Sequence, residues 1–114
     1  MTDCLFCKII NGELPSSIVY ENRSFVAFED IDKKAPVHIL VVPKVHIQSI
    51  DAMTDEDTAL MGEMFEAARD IAKRQGVSES GYRLVINTGT EGGQTVSHLH
   101  MHLLGGRRLT WPPG

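Results

Sequence analysis

The run His98-Leu99-His100-Met101-His102-Leu103-Leu104 constrains this chain more than any other segment. Polar and apolar residues alternate strictly along it. Successive side chains on a strand point to opposite faces, so three imidazoles are expected on one face and Leu99, Met101 and Leu103 on the other. Histidines two apart on a strand sit roughly 6.5–7 Å from each other, close enough for neighbouring rings to address one small anion or metal. The whole chain has five histidines in 114 residues, and three of them fall within this stretch.

The remaining segments supply a sheet for that strand to join. Phe6 to Asn11 reads as a short helical turn, stopped at Asn11-Gly12, and Pro15 permits an extended entry into Ser17 to Tyr20. Ser24 to Glu29 alternates Phe25 and Ala27 against Val26 and Phe28, as a strand does. Val37 to Val42 predicts a third strand ended by Pro43, Tyr82 to Asn87 a fourth, and Val96 to Leu104 a fifth. Thr54 to Gln75 is the one long helix. Thr54 can cap it, Asp55, Glu56 and Asp57 suit the positive end of its dipole, and Gly76 can end it in the left-handed conformation. Strands joined by short turns, with one helix inserted late, predict an α+β fold around an antiparallel sheet.

Composition narrows the function classes. One domain spans residues 1–114, since this length leaves no room for two ordinary cores. With 42% hydrophobic and 23% charged residues, disorder is not expected. No apolar run approaches the roughly 20 residues of a membrane-spanning helix, and Met1-Thr2-Asp3-Cys4 resembles neither a secretory signal nor a myristoylation site. A cytoplasmic protein is therefore expected, with neither membrane nor nucleic acid as partner. The formal net charge of -4 speaks against nucleic acid, which calls for clustered Lys and Arg. A single phosphate held by backbone N–H groups and imidazoles remains compatible with it. Gly89-Thr90-Glu91-Gly92-Gly93-Gln94-Thr95, just before the histidines, could form such a cradle or simply turn the chain.

His98 to Leu104 resembles the signature of the histidine-triad (HIT) family of nucleotide hydrolases and transferases. Asp30, Ala35-Pro36-Val37-His38, Val42-Pro43-Lys44-Val45-His46 and Gly92-Gly93-Gln94-Thr95-Val96 are similar to family segments in the same order. Leu104-Gly105-Gly106-Arg107 and Trp111-Pro112-Pro113-Gly114 look like the histidine-triad nucleotide-binding (Hint-like) branch. Asn87 fits that branch, whereas the dinucleoside polyphosphate hydrolases tend to carry Gln there. His102 departs from the uridylyl-transferring relatives, which carry Gln at the last triad position.

The resemblance implies the HIT-like fold, about five antiparallel strands with one long and one short N-terminal helix, and roles at matching positions. His100 would attack the α-phosphorus and carry a nucleotidyl group, a role suited to neutral imidazole near pH 7. His102, His38 and Thr95 would complete the catalytic set, with Gly93 and Thr95 N–H groups stabilising developing charge. Asp30 would accept from the ribose hydroxyls, and Leu5, Phe6, Ile9, Phe28 and Ile31 would wall the base pocket, although the residues by themselves favour ordinary core packing. Asn87 would belong to the substrate site, as would Trp111, reaching it from the partner of a homodimer. The implied activity is hydrolysis of the P–N bond in a purine nucleoside 5′-phosphoramidate of AMP type. Alternatives are a dinucleoside polyphosphate hydrolase or a non-catalytic nucleotide-binding scaffold.

Cys4 and Cys7 form a C-x₂-C pair that reads either as two inert thiols or as half of a tetrahedral metal site. Some members of the family complete such a site with the His after Pro-Lys-x and the first triad His, here His46 and His98. The resemblance thus implies a structural zinc and no catalytic cofactor. Met61, Met64 and Phe65 widen the apolar face of the long helix, which could cover its own sheet or pair across a two-fold.

Overall fold

A computed structural model describes residues 3–114; Met1 and Thr2, on which part of the N-terminal signal reading rests, lie outside them. Five strands, β1 (Ile18–Glu21), β2 (Phe25–Glu29), β3 (Val37–Pro43), β4 (Tyr82–Val85) and β5 (Met101–Gly105), form one sheet in the order β1-β2-β3-β5-β4. Every neighbouring pair is antiparallel. Two helices, α1 (Leu5–Ile10) and α2 (Thr58–Arg74), complete the α+β architecture. No helix among the described residues is long and apolar enough to cross a membrane.

The central strands are buried on both faces, which explains why β2 and β3 read as nearly continuous apolar runs. Phe25, Ala27, Ile39 and Val41 point to the side covered by α2, where Met64, Ala68 and Ile71 meet Leu99, Met101 and Leu103. Val26, Phe28, Leu40 and Val42 point the other way and pack on Phe6 of α1. The long helix begins later than the sequence predicts. A single 3₁₀ turn over Asp55–Asp57 precedes it, with the Asp57 carboxylate accepting the Thr54 N–H at 2.9 Å. Gly76 ends it at φ +75, as its lack of a Cβ allows. Of the wide apolar face, Met64 is fully buried in the chain's own core while Phe65 is about half exposed.

One expectation fails in an instructive way. The strand predicted over Val96 to Leu104 pairs with its neighbours only from Met101 onward. Upstream, the Leu99 N–H is taken by the Ile47 carbonyl at 2.7 Å, a loop partner that replaces the ladder. His98 and His100 therefore precede β5, and only His102 lies in it. The alternation still holds, since Leu99, Met101 and Leu103 are all sealed in the α2-side core.

Candidate active site

Backbone groups decide what each triad imidazole presents, carbonyls for His98 and His100 and, through His38, an N–H for His102. The His100 Nδ1–H donates to the His98 carbonyl at 2.7 Å, leaving Nε2 as the ring's lone pair. His98 is set the opposite way: its Nε2–H donates to the Pro43 carbonyl at 2.9 Å, so Nδ1 is the free acceptor. A third chain of bonds fixes His102. The Lys34 N–H donates to His38 Nδ1 at 3.0 Å, which puts the His38 proton on Nε2. That proton points at His102 Nδ1, 2.9 Å away, so neutral His102 keeps its own proton on Nε2. The Asp30 carboxylate lies 3.4 Å from His38 Nε2 and accepts the Asp32 N–H through its other oxygen.

Burial holds the three rings of this group neutral near pH 7. It lowers the His100 pKa below the ordinary imidazole value, only partly offset by the bond to the His98 carbonyl and the charge of Asp30. His38 is lowered chiefly by burial as well, against the attraction of Asp30. His102 falls furthest, to about 4, through burial and then the neighbouring His100 and His38. Neutral rings are the ones that can attack phosphorus or donate a single proton to an oxyanion.

A cleft of about 360 Å³ opens onto His100 and His102. Leu5, Phe6, Ile9, Phe28, Asp30, Ile31 and Thr95 line it, so most of the residues singled out from sequence meet in one place. His38 stands behind His102 as its ring partner. Phe6 sits edge-on to the His100 ring at 5.0 Å and to His98 at 5.9 Å. Sequence reasoning missed Leu14, Pro15, Ser16, Glu29, Leu40 and Val96, which also line the cleft. Leu40 was within reach, because it shares the parity of His38 along β3 and pairs with His102. The Leu14 to Ser16 turn carries no such signal, since only tertiary folding brings it to the cleft. A second, more open groove of about 600 Å³ meets the cleft at Leu5, Thr95 and Val96.

Three residues stand apart from the cleft. Trp111 is 80% exposed and does not line it. Asn87 is half-buried beside Gly93, its amide nitrogen 4.0 Å from where a Cβ on that glycine would lie. The Gly93 N–H, expected to face a phosphate, donates to the Thr90 carbonyl at 3.1 Å, and the Gln94 N–H to that of Gly89 at 3.0 Å. The glycine-rich loop thus closes on itself as a turn, with Gly93 at φ +84 and no room for a Cβ on Gly92 against the Thr88 carbonyl.

Beside the cleft, Cys4, Cys7, His46 and His98 bring their donor atoms within 4.8 Å of one another. His98 Nδ1 lies 3.3 Å from Cys4 Sγ, 3.6 Å from Cys7 Sγ and 3.0 Å from His46 Nδ1, and Cys7 Sγ lies 3.3 Å from His46 Nδ1. Tetrahedral bonds of about 2.0–2.3 Å imply edges of roughly 3.3–3.8 Å. Three of these four separations lie in that range and the His46–His98 one is slightly shorter, so the donor set is close to that of a bound metal ion. The Pro43 carbonyl supplies the outer partner that orients a ligating imidazole. Burial raises the Cys7 thiol pKa, with Cys4 adding to the effect. Asp30, His38 and His102 also cluster, but there the His38 proton already points inward.

Known proteins match this architecture along nearly its whole length. Residues 3–108 match the family model described as the C-terminal binding region of the scavenger mRNA decapping enzyme. An uncharacterized HIT-like protein of Synechococcus elongatus is 54% identical over 98% of this chain and 97% of its own. A HIT family hydrolase from Legionella pneumophila Philadelphia 1 superposes with a TM-score of 0.96, at 49% identity over 98% of this chain and 100% of that one. A histidine triad protein from Clostridium difficile gives 0.93 at 44% identity, with 96% of each chain covered. With His100 and His102 facing one cleft, His98 in the Cys/His cluster beside it, and these relatives aligned end to end, the chain belongs to the histidine-triad family.

Proposed function

We propose that this protein is a nucleotide hydrolase that cleaves the P–N bond of AMP-type phosphoramidates through a nucleotidyl-His100 intermediate. The observation that carries the reading is the bond from His100 Nδ1–H to the His98 carbonyl, which turns a lone pair into the cleft. Attack by Nε2 forms a P–N bond to the enzyme as the bond to the leaving amine breaks. The Thr95 hydroxyl at the cleft edge donates to the departing amine, and His102 Nε2–H stabilises charge on a phosphoryl oxygen. Water then attacks phosphorus as the P–Nε2 bond breaks, AMP leaves, the lone pair returns to His100, and a proton from the water restores the Thr95 hydroxyl. The apolar walls take the purine and Asp30 accepts from the ribose. The groove meeting the cleft at Thr95 gives the amine a place to sit.

The four-donor Cys/His cluster is proposed to hold zinc in a structural role, because four protein ligands leave no position for a reacting water. A homodimer is proposed from the exposed Phe65 face of α2, with Trp111 reaching the partner's cleft. A cytoplasmic location is proposed with these.

The test is AMP release from an AMP–lysine phosphoramidate and from diadenosine triphosphate, the second chosen because the matched family model carries a decapping enzyme's name. Phosphoramidate turnover that disappears in His100→Ala is the expected result. Preference for the triphosphate would move the protein to polyphosphate hydrolysis, and AMP binding without turnover would leave a binding module.

A further inference from the structure

Arg107 stands outside the cleft, yet it grips the loop on which the His38 proton depends. Its guanidinium Nε–H and Nη2–H both donate to the Lys34 carbonyl, at 3.1 and 2.8 Å, and Nη1–H donates to the Arg108 carbonyl at 3.1 Å. Charged donors on one carbonyl make a stronger clamp than a single neutral bond. The same stretch of chain braces the loop a second time. Gly106, at φ +90, lies against Pro36 so closely that a Cβ would come within 2.9 Å of the Pro36 Cβ. Lys34 is thus held through its carbonyl, while its N–H faces His38 Nδ1 at 3.0 Å.

We infer that Arg107 is a positioning residue for the reaction: by clamping Lys34 it holds the backbone N–H that fixes the His38 tautomer, and through His38 that of His102. Were the Lys34 N–H to swing away, only the Asp30 carboxylate, 3.4 Å from Nε2, would still favour the present tautomer, and in part of the molecules His38 would carry its proton on Nδ1 and offer Nε2 as a lone pair. His102 would then have to turn its own proton toward His38, and Nε2 would face the cleft without a donor. The phosphoryl oxygen would lose a hydrogen bond in the transition state, whereas the apolar walls that bind the nucleoside would be untouched. Loss of Arg107 should therefore lower kcat far more than it raises KM.

This inference rests on the hydrolase reading for its kinetic consequence, but its structural core can be measured without substrate. Nitrogen-15 shifts of the His38 and His102 rings are recorded at pH 7 in the wild type, Arg107→Met, Arg107→Lys and, as a charge-matched neighbour, Arg108→Met. The wild type and Arg108→Met should show protonated Nε2 on both rings. Arg107→Met should show mixed tautomers, with kcat on the AMP–lysine compound about tenfold lower and KM within about twofold. Arg107→Lys, which keeps the charge and loses the fork, should fall between them and is the decisive variant if Arg107→Met does not fold. Unchanged ring shifts and kcat in a folded Arg107 variant would overturn the inference. Altered tautomers in a protein that turns over no phosphoramidate would keep Arg107's positioning role and remove the hydrolase reading instead.

Discussion

His98 and His100 are two positions apart, both almost fully buried, and both bonded through one ring nitrogen to a backbone carbonyl. They nevertheless present opposite nitrogens. His98 spends Nε2–H on Pro43 and turns Nδ1 to two thiols and His46, in a cluster that leaves the cleft alone. His100 spends Nδ1–H on the carbonyl of His98 itself and turns Nε2 to the cleft. Side-chain identity does not separate the ring proposed as structural from the one proposed as reactive. The placement of a single carbonyl does.

The sharpest way to break that comparison is to remove each ring in turn. His100→Ala should lose at least about 10³-fold in turnover, about 4 kcal/mol of transition-state stabilisation, while its melting midpoint, lowered somewhat by the loss of a buried ring, still falls further when a chelator is added. His98→Ala should do the reverse in kind. It leaves the Pro43 carbonyl without its donor and opens a hole in the packing, costing about 2–4 kcal/mol of stability. Denaturant melts read this directly, and a chelator should lower the wild-type midpoint while leaving that of His98→Ala unmoved. Equal chelator responses in both variants would erase the distinction.

Acid should act next. The folded protein keeps His102 neutral down to about pH 4, whereas the unfolded chain takes up that proton near the ordinary value of 6.5. Stability is then fully present above about pH 6.5 and declines as pH falls toward 4, with His38 and His100 pulling in the same direction. For the partly exposed His102 ring the loss is on the order of 2 kcal/mol. Urea midpoints between pH 7 and 4 measure it, and His102→Asn should flatten the curve; an unchanged slope in that variant would refute the assignment.

The smallest effect belongs to Ile31, which lines the cleft while its side chain is wholly exposed. Ile31→Ala should leave stability within about 0.5 kcal/mol and raise KM for the nucleotide substrate about two- to fivefold. A stability loss without a KM change would make Ile31 a packing residue rather than a part of the nucleoside wall.

Much of this was legible from residue order because the signals are local. Alternation in β2 and β3 gave both faces of the sheet, and the Thr54 to Gly76 cap-to-stop pattern gave α2 within a turn. The triad's parity correctly separated Leu99, Met101 and Leu103 from the imidazoles even though the first half of that run is not in a strand. What stayed hidden depends on distant partners. Nothing near Leu99 announces that its N–H will bond to Ile47, nor near Arg107 that its guanidinium will reach a carbonyl 73 positions away. The Leu14 to Ser16 lining and the inward-closed Gly93 turn fail for the same reason: a loop's role is set by what folds against it.

The six residues of α1 are too few to hold a helix alone in water. They contribute Leu5, Phe6 and Ile9 to the cleft, and the helix is capped by Cys4 and carries Cys7, cysteines whose ring partners are far along the chain, Cys4 meeting His98 across 94 positions. During synthesis this segment leaves the ribosome early and can find that partner only when nearly all the rest has followed. This wall of the cleft is therefore made first and fixed last. A chain cut short before His98 would carry the wall without the means to keep it in place.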